Sequence, residues 1–107
     1  GAEGKAKIDG LMDALRNQPP KQVGPFKVTA LEDYKKSVRT DIATGETSAL
    51  TLPESNVLYF ELEDGAWFCV RPSGTEPKIK YYAGVKGTDA QDAADKLEAL
   101  SKAVVEL

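Results

Sequence analysis

The chain has 107 residues, of which 41% are hydrophobic, and a net charge of −3 from 14 basic and 17 acidic side chains. The length predicts a single domain over residues 1–107, and the mildly acidic balance disfavours nucleic acid as a partner bound through bulk charge. Histidine is absent and Cys69 is the one cysteine. This excludes Ser-His-Asp or Cys-His catalysis, an internal disulfide and a cysteine zinc cluster within the chain.

The sequence carries no pattern typical of targeting or of membrane insertion. No run approaches the roughly 20 apolar residues that a membrane-spanning helix requires, so we expect no membrane partner. No apolar stretch follows a basic one at the amino end, so we expect no signal peptide. Because Gly1 is not an initiator residue, we interpret the chain as a piece of a longer protein. The single cysteine fits a cytoplasmic location.

A first helix is predicted over residues 5–17. Its apolar side chains recur at i, i+3, i+4 and i+7 and form one stripe for the core: Ile8, Leu11, Met12 and Leu15. Pro19 and Pro20 follow and end the helix, since proline cannot continue its hydrogen bonds.

Strands are expected after this helix. Residues 26–31 alternate apolar and polar side chains and predict the first strand. The polar stretch 32–55 would be unusually long for a loop without structure in a compact domain. We therefore expect a small hairpin inside it, with arms at 37–42 and 48–52 and a bend at 43–46.

The clearest hairpin signal lies in residues 57–63 and 66–70. The dipeptide Asp64-Gly65 between them suits a two-residue turn, because both residue types tolerate positive φ. Such a turn sets the register and places Leu58 opposite Arg71. The side chains that would then share the core face, the single cysteine among them, are Leu58, Phe60, Leu62, Trp67 and Cys69.

The carboxyl end predicts one more strand and a second helix. Residues 79–85 alternate, with the core side chains Ile79, Tyr81, Ala83 and Val85. Thr88 is the expected N-cap of the helix, and Gln91 completes a capping box. The buried stripe of this helix would consist of Ala90, Ala93, Ala94, Leu97, Leu100, Val104 and Leu107. The elements together predict an α+β fold, with an antiparallel sheet of about four strands and helices on one face.

Most of the chemistry lies in the stretch Arg71-Pro72-Ser73-Gly74-Thr75-Glu76-Pro77-Lys78, between the last two predicted strands. Arg71 offers a planar fork of donors that can grip two phosphate oxygens at once. Ser73 and Thr75 add hydroxyl donors, and Gly74 lets backbone amides approach an anion closely. The residue types therefore fit a tetrahedral oxyanion, although the order is not that of a Walker loop.

Several readings of this loop stay open from the residues alone. Serine, glycine and threonine are also common in ordinary turns. Arg71, at the end of the predicted core face, could point into a cleft or could pair with a carboxylate such as Glu76. Lys78 and Lys80 could add positive charge to the site or could be ordinary exposed strand lysines.

The same loop resembles the phosphate-binding signature of the α-D-phosphohexomutase superfamily, which includes phosphoglucomutases and phosphomannomutases. Residues 52–65, which precede the loop, resemble the hairpin of those enzymes. Residues 79–82 and the final helix resemble the family's elements on the carboxyl side of the loop. The likeness covers residues 50–107 well and looks most like bacterial phosphoglucomutases.

The resemblance implies a specific place in a larger enzyme. Members of this family have four domains, and the chain is similar to the fourth, whose fold is like that of the TATA-box-binding protein. The substrate would be a phosphosugar that is interconverted between its 1-phosphate and 6-phosphate forms, with glucose favoured over mannose. By matching positions, the phosphate contacts would be Arg71, Ser73, Gly74 and Thr75. Lys80 stands where some relatives carry arginine.

The resemblance also implies what the chain lacks. The phosphoserine nucleophile, the Mg²⁺-binding aspartates and the sugar-selecting loop of the family lie in the other three domains. We therefore expect no catalytic residue and no metal ligand here, and no activity from the chain alone. Its partners would be glucose 1-phosphate, glucose 6-phosphate, the bisphosphate intermediate and the other three domains. The alternatives are a free-standing module that binds anions or nucleic acid, and a purely structural domain.

Overall fold

A computed structural model describes residues 1–107 as one sheet with two helices. The elements are α1 (Ala2–Asn17), β1 (Gln22–Val23), β2 (Phe26–Asp33), β3 (Val38–Asp41), β4 (Thr47–Ala49), β5 (Leu58–Leu62), β6 (Trp67–Pro72), β7 (Ile79–Gly84) and α2 (Ala90–Val105). All strand pairs are antiparallel, in the order β4-β3-β2-β5-β6-β7, and β1 pairs with β2. Neither helix is long and apolar enough to cross a membrane.

The predicted α+β class is confirmed, but the sheet has seven strands instead of about four. The expected hairpin in the polar stretch forms as β3 and β4 and extends the sheet beyond β2. The short β1 adds the seventh strand. Both helices contribute to the same core cluster, α1 through Met12 and Leu15 and α2 through Leu100 and Val104. One face of the sheet is thus covered by helices, and we call the other the helix-free face.

The register of β5 and β6 differs from the prediction by one residue. The connection contains three residues, because the Leu62 amide donates to the Ala66 carbonyl at 2.9 Å. The connection therefore includes residue 63 as well as Asp64 and Gly65, which both have positive φ, 59° and 73°. Phe68 therefore pairs with Phe60. A shift of one residue moves every side chain of a strand to the opposite face.

The shift exchanges the faces of β6. Phe68 and Val70 are fully buried in the core, whereas Trp67 and Cys69 lie half-buried on the helix-free face. The prediction that Trp67, Cys69 and Arg71 follow the core face was therefore wrong. Trp67 instead stacks on Tyr59, with ring centroids 5.4 Å apart. Burial raises the pKa of the Cys69 thiol, and the nearby charge of Arg71 opposes this shift.

Two glycines offer a matched test of this turn. Gly65→Ala is expected to lower the free energy of unfolding by roughly 1–2 kcal/mol, because Gly65 has φ +73° and alanine disfavours the left-handed region. Gly10→Ala, in the interior of α1 with no atom within 4 Å of an added Cβ, should raise it by about 0.5–1 kcal/mol. Urea unfolding measures both changes. An unchanged midpoint for Gly65→Ala would mean that the turn is not left-handed at this residue.

Helix α2 begins one residue later than predicted. Asp89, not Thr88, is the N-cap, and its side chain accepts from the Asp92 amide at 2.8 Å. The Asp92 carboxylate in turn accepts from the Thr88 amide at 2.9 Å. The reciprocal cap thus exists with aspartate in place of glutamine, while Gln91 bonds Asp95.

The buried stripe of α2 is narrower than predicted. Leu100 and Val104 are buried, and Ala93 is half-buried. Leu97 and Leu107 remain 38% and 36% exposed. The other two predicted members, Ala90 and Ala94, are exposed. The helix α2 packs mainly on the edge strand β7 and on β1, and its fully buried residues lie in its C-terminal half.

An ion pair fastens α1 to the end of β2. Arg16 Nε lies 3.0 Å from Asp33 Oδ2, and the two side chains are 6% and 7% exposed. The other Asp33 oxygen accepts from the amides of Lys35 and Lys36. A buried charge needs such partners, since removing either one leaves the other uncompensated.

The helix-free face carries paired charges. Arg39 donates two hydrogen bonds to Glu61, at 2.6 and 3.0 Å, and this contact lowers the pKa of Glu61. Burial raises the pKa of the neighbouring Glu32. Tyr34 donates to Glu32, which raises the pKa of Tyr34 to about 12. This face is therefore of mixed sign.

Candidate functional site

The candidate loop is a six-residue connection between β6 and β7. The strands pair as far as Pro72 and Ile79, and the Ser73 amide closes the loop by donating to the Lys78 carbonyl at 2.8 Å. Inside it, the Thr75 amide donates to Ser73 Oγ at 3.4 Å. The amides of Gly74 and Glu76 have no partner within the chain. The loop thus has a fixed base and free backbone donors at its tip.

Helix α1 supports the loop from the side. Gly4, in the first turn of α1, lies so close to Pro77 that an added Cβ would approach the Pro77 Cβ at 2.9 Å. The absence of a side chain at Gly4 allows this contact. The start of α1 and the second proline of the loop therefore pack against each other.

Arg71 lies on the helix-free face, opposite Lys80 in the register. Its guanidinium donates to Tyr82 Oη at 3.3 Å and lies 5.7 Å from the centroid of the Tyr82 ring. No carboxylate pairs with it, since Glu76 pairs with Lys78 at 3.2 Å instead. The alternative of an Arg71–Glu76 ion pair was therefore wrong, and most donors of the Arg71 fork remain free.

Two recesses flank the loop. The first, of about 400 Å³, is lined by Ser55, Asn56, Val57, Arg71, Pro72, Ser73 and Gly74. The second, of about 340 Å³, lies on the α1 side and is lined by Lys5, Ile8, Asp9, Asn56, Pro72, Ser73, Gly74, Thr75, Glu76 and Pro77. We call them the arginine recess and the helix recess.

The predicted site residues divide between the recesses. Arg71, Ser73 and Gly74 come together around the arginine recess. Thr75 lines only the helix recess, next to the same Ser73 and Gly74. Lys78 and Lys80 line neither. Arg71 and Gly74 are thus brought to one cavity, while the two lysines do not line it.

Asn56 lines both recesses and was not among the sequence candidates. The position of Asn56 in the sequence, just before β5, could have indicated that it lies beside the loop. Because β5 and β6 are antiparallel neighbours, the residues just before Leu58 lie beside those just after Val70. Asn56 is a polar residue of that segment, and it could have been found once the hairpin was assigned.

The arrangement offers several donors for an anion. It has a guanidinium, two hydroxyls, free amides and the Asn56 side chain, but no histidine. Nowhere in residues 1–107 do three or more carboxylate, cysteine or histidine side chains come together in a way that could hold a metal ion. These donors are suited to the binding and electrostatic stabilisation of negative charge.

Comparison with known proteins places this geometry in a family. The sequence model described as "Phosphoglucomutase/phosphomannomutase, C-terminal domain" matches residues 15–102. Two similar proteins are phosphoglucomutases from Staphylococcus aureus, 41% identical in strain MRSA252 and 40% identical in strain bovine RF122 / ET3-1, each over 100 residues. These alignments cover 94% of this chain but 18% of each relative. No solved structure matches the chain.

The matched region contains the sheet, the loop and nearly all of α2. The candidate residues of both recesses, apart from those of the first two turns of α1, lie inside it. The chain therefore belongs to the family of C-terminal domains of phosphoglucomutases and phosphomannomutases, and it is part of an enzyme.

Proposed function

We propose that the chain is the substrate-phosphate-binding domain of a phosphohexomutase that interconverts hexose 1-phosphate and 6-phosphate, with glucose as the favoured sugar. The observation that carries the proposal is the arginine recess, where Arg71 has no carboxylate partner and faces the same cavity as Ser73 and Gly74. The similar proteins from Staphylococcus aureus are phosphoglucomutases, which supports glucose. Mannose is the second candidate sugar, after the family description.

The role of the loop would be to hold one phosphate while another reacts elsewhere. A bisphosphorylated sugar intermediate must present either end to a nucleophile, and a loop that grips the phosphate that is not reacting serves both orientations. Arg71 supplies charge and a forked geometry, and the Gly74 and Glu76 amides supply donors that need no reorganisation. The isolated chain would bind a phosphosugar and catalyse nothing.

The rest of the chemistry belongs, in this proposal, to the other three domains of the same polypeptide. They would supply the phosphoserine nucleophile and the ligands of a Mg²⁺ ion. The donor set of this chain does not fit such an ion, because no cluster of three suitable side chains exists in it. The enzyme would work in the cytoplasm, which fits a chain with one unpaired cysteine.

An NMR titration of the ¹⁵N-labelled chain tests the proposal. With glucose 6-phosphate we expect amide shifts centred on residues 71–78, with millimolar affinity because the sugar contacts are absent. Equal shifts with a single-stranded DNA oligonucleotide would favour the free-standing module instead. No shifts at tens of millimolar phosphosugar would contradict the proposal and favour a purely structural domain.

Gly74→Ala is expected to weaken phosphate binding without changing the stability of the fold. An added Cβ at Gly74 would meet nothing within 4 Å, so the free energy of unfolding should change by less than about 0.5 kcal/mol. The methyl group would nevertheless stand beside the free amide and hinder close approach of a phosphate, which should weaken binding of glucose 6-phosphate roughly tenfold. Unfolding curves and the NMR titration measure the two effects. Unchanged affinity would show that the Gly74 amide is not a ligand.

A further inference from the structure

We propose that Asn56 is a further phosphate ligand of this site, donating through its side-chain amide, and that Arg16 is the residue that positions it. This inference rests on the proposed function, because it adds a ligand to the same site. It places a neutral donor outside the loop, on the segment that precedes β5.

The position of Asn56 relative to the two recesses is the first observation. The recesses share only Pro72, Ser73, Gly74 and Asn56. Asn56 is thus the one shared residue outside the stretch from Arg71 to Lys78. A phosphate held by Ser73 and Gly74 would meet Asn56 from whichever recess it occupied.

The orientation of the Asn56 amide is the second observation. Arg16 Nη2 donates to Asn56 Oδ1 at 3.0 Å. Because a guanidinium can only donate, the oxygen of the amide must face Arg16 and the amino group must face away. The Asn56 amino group has no hydrogen-bond partner within the chain. Two donors are therefore oriented and available.

The rigidity of Arg16 is the third observation. Its side chain is 6% exposed and is fixed by Asp33 at 3.0 Å and by Asp13 at 3.5 Å. These carboxylates balance its charge, so Arg16 does not need an anion of its own. Its remaining hydrogen bond orients Asn56, and an oriented donor loses less entropy when it binds a ligand.

Helix α1 contributes one basic side chain to the helix recess, and that side chain already has a carboxylate partner. Lys5, the one basic side chain that lines that recess, is paired with Asp9 at 2.8 Å. The donors that remain unpaired around Ser73 and Gly74 include those of Arg71, of the loop amides, of the Ser55 and Thr75 hydroxyls and of Asn56. Asn56 is thus one of several unpaired side-chain donors beside the loop, and it is the one among them that lines both recesses.

The test compares Asn56→Ala with Ser55→Ala, a neighbour that lines the arginine recess but not the helix recess. Both variants are titrated by NMR with glucose 6-phosphate and with inorganic phosphate. We expect Asn56→Ala to lower the affinity for both probes roughly tenfold and Ser55→Ala to change these affinities less than twofold. In the wild type, the Asn56 side-chain amide signals should move with the loop amides during both titrations.

Two further variants test the inference in chains that are expected to stay folded. Asn56→Asp keeps an acceptor for Arg16 but removes both donors, so it should unfold at or above the wild-type temperature and bind neither probe. Arg16→Lys keeps a charge beside Asp33 but loses the fork, and it should reduce the ligand-induced shift of the Asn56 side-chain amide while the chain stays folded. Equal shifts in this variant would overturn the positioning role of Arg16.

The outcomes separate this inference from the proposed function. If the wild type binds glucose 6-phosphate and Asn56→Ala binds it equally well, Asn56 is not a ligand and the proposed function stands. If Asn56→Ala lowers the affinity for glucose 6-phosphate but not for inorganic phosphate, Asn56 contacts the sugar and not the phosphate. The inference is then wrong and the proposed function again stands. If the wild type binds neither probe, both the inference and the proposed function are wrong.

Discussion

Arg71→Ala is expected to weaken binding of glucose 6-phosphate by at least about a hundredfold, to below detection in an NMR titration. The guanidinium can make two charge-assisted hydrogen bonds to one phosphate, each worth roughly 1.5–3 kcal/mol. Arg71 is exposed, and its side chain makes one hydrogen bond, to Tyr82. Its removal should therefore leave the free energy of unfolding within about 0.5 kcal/mol of the wild type.

Lys80→Ala is the matched control for this prediction. Lys80 is the register partner of Arg71, is also exposed and also carries one positive charge, but it lines neither recess. We expect the affinity of the Lys80→Ala variant for glucose 6-phosphate to fall less than about threefold, since only a screened charge is lost. Arg71→Lys should bind with intermediate affinity, because the charge remains and the fork does not. Equal losses for Arg71→Ala and Lys80→Ala would mean that net charge, and not the forked geometry, governs binding.

Phe68→Ala is expected to lower the free energy of unfolding by about 3–5 kcal/mol. Phe68 is fully buried and stacks on Phe60, with centroids 4.5 Å apart. Its truncation would leave a cavity in the centre of the core. A domain of this size has a total stability of roughly 5–15 kcal/mol, so the variant should unfold at markedly lower urea concentration.

Trp67→Ala is the control, because Trp67 is adjacent in the chain but lies on the helix-free face. Its cost should be smaller, about 1–2 kcal/mol, since the ring is only half-buried. The two variants together test the register of β6. A larger effect for Trp67→Ala than for Phe68→Ala would indicate a two-residue turn and the opposite facing of the strand.

The sequence predicted the elements better than it predicted their pairing. The 3.6-residue periodicity around Met12 and the alternation in β2 and β7 depend on burial alone, and burial dominates at those positions. The register of β6 depends on whether the hairpin loop contains two residues or three. Asp64-Gly65 satisfies the conformational needs of either loop, so composition could not decide between them.

The candidate site was predictable where it is local in sequence. The loop from Arg71 to Lys78 carries its donors within a few residues, and the family resemblance rests on the same stretch. The separation of Lys78 and Lys80 from the recesses depends on how the strands continue beyond the loop. Asn56 depends on the pairing of β5 with β6, which brings residues from another segment to the loop.

Helix α1 contacts the proposed site at both of its ends, and these contacts would couple the helix to a bound phosphate. Gly4 touches Pro77 of the loop, and Arg16, one helix length away, holds Asn56. A ligand that requires both contacts binds the docked helix and not the undocked one, so by thermodynamic linkage it must raise the free energy of undocking α1. Hydrogen exchange of the α1 amides would then slow when phosphate is bound. The first helix, which precedes the loop by more than fifty residues, would report the occupancy of the site.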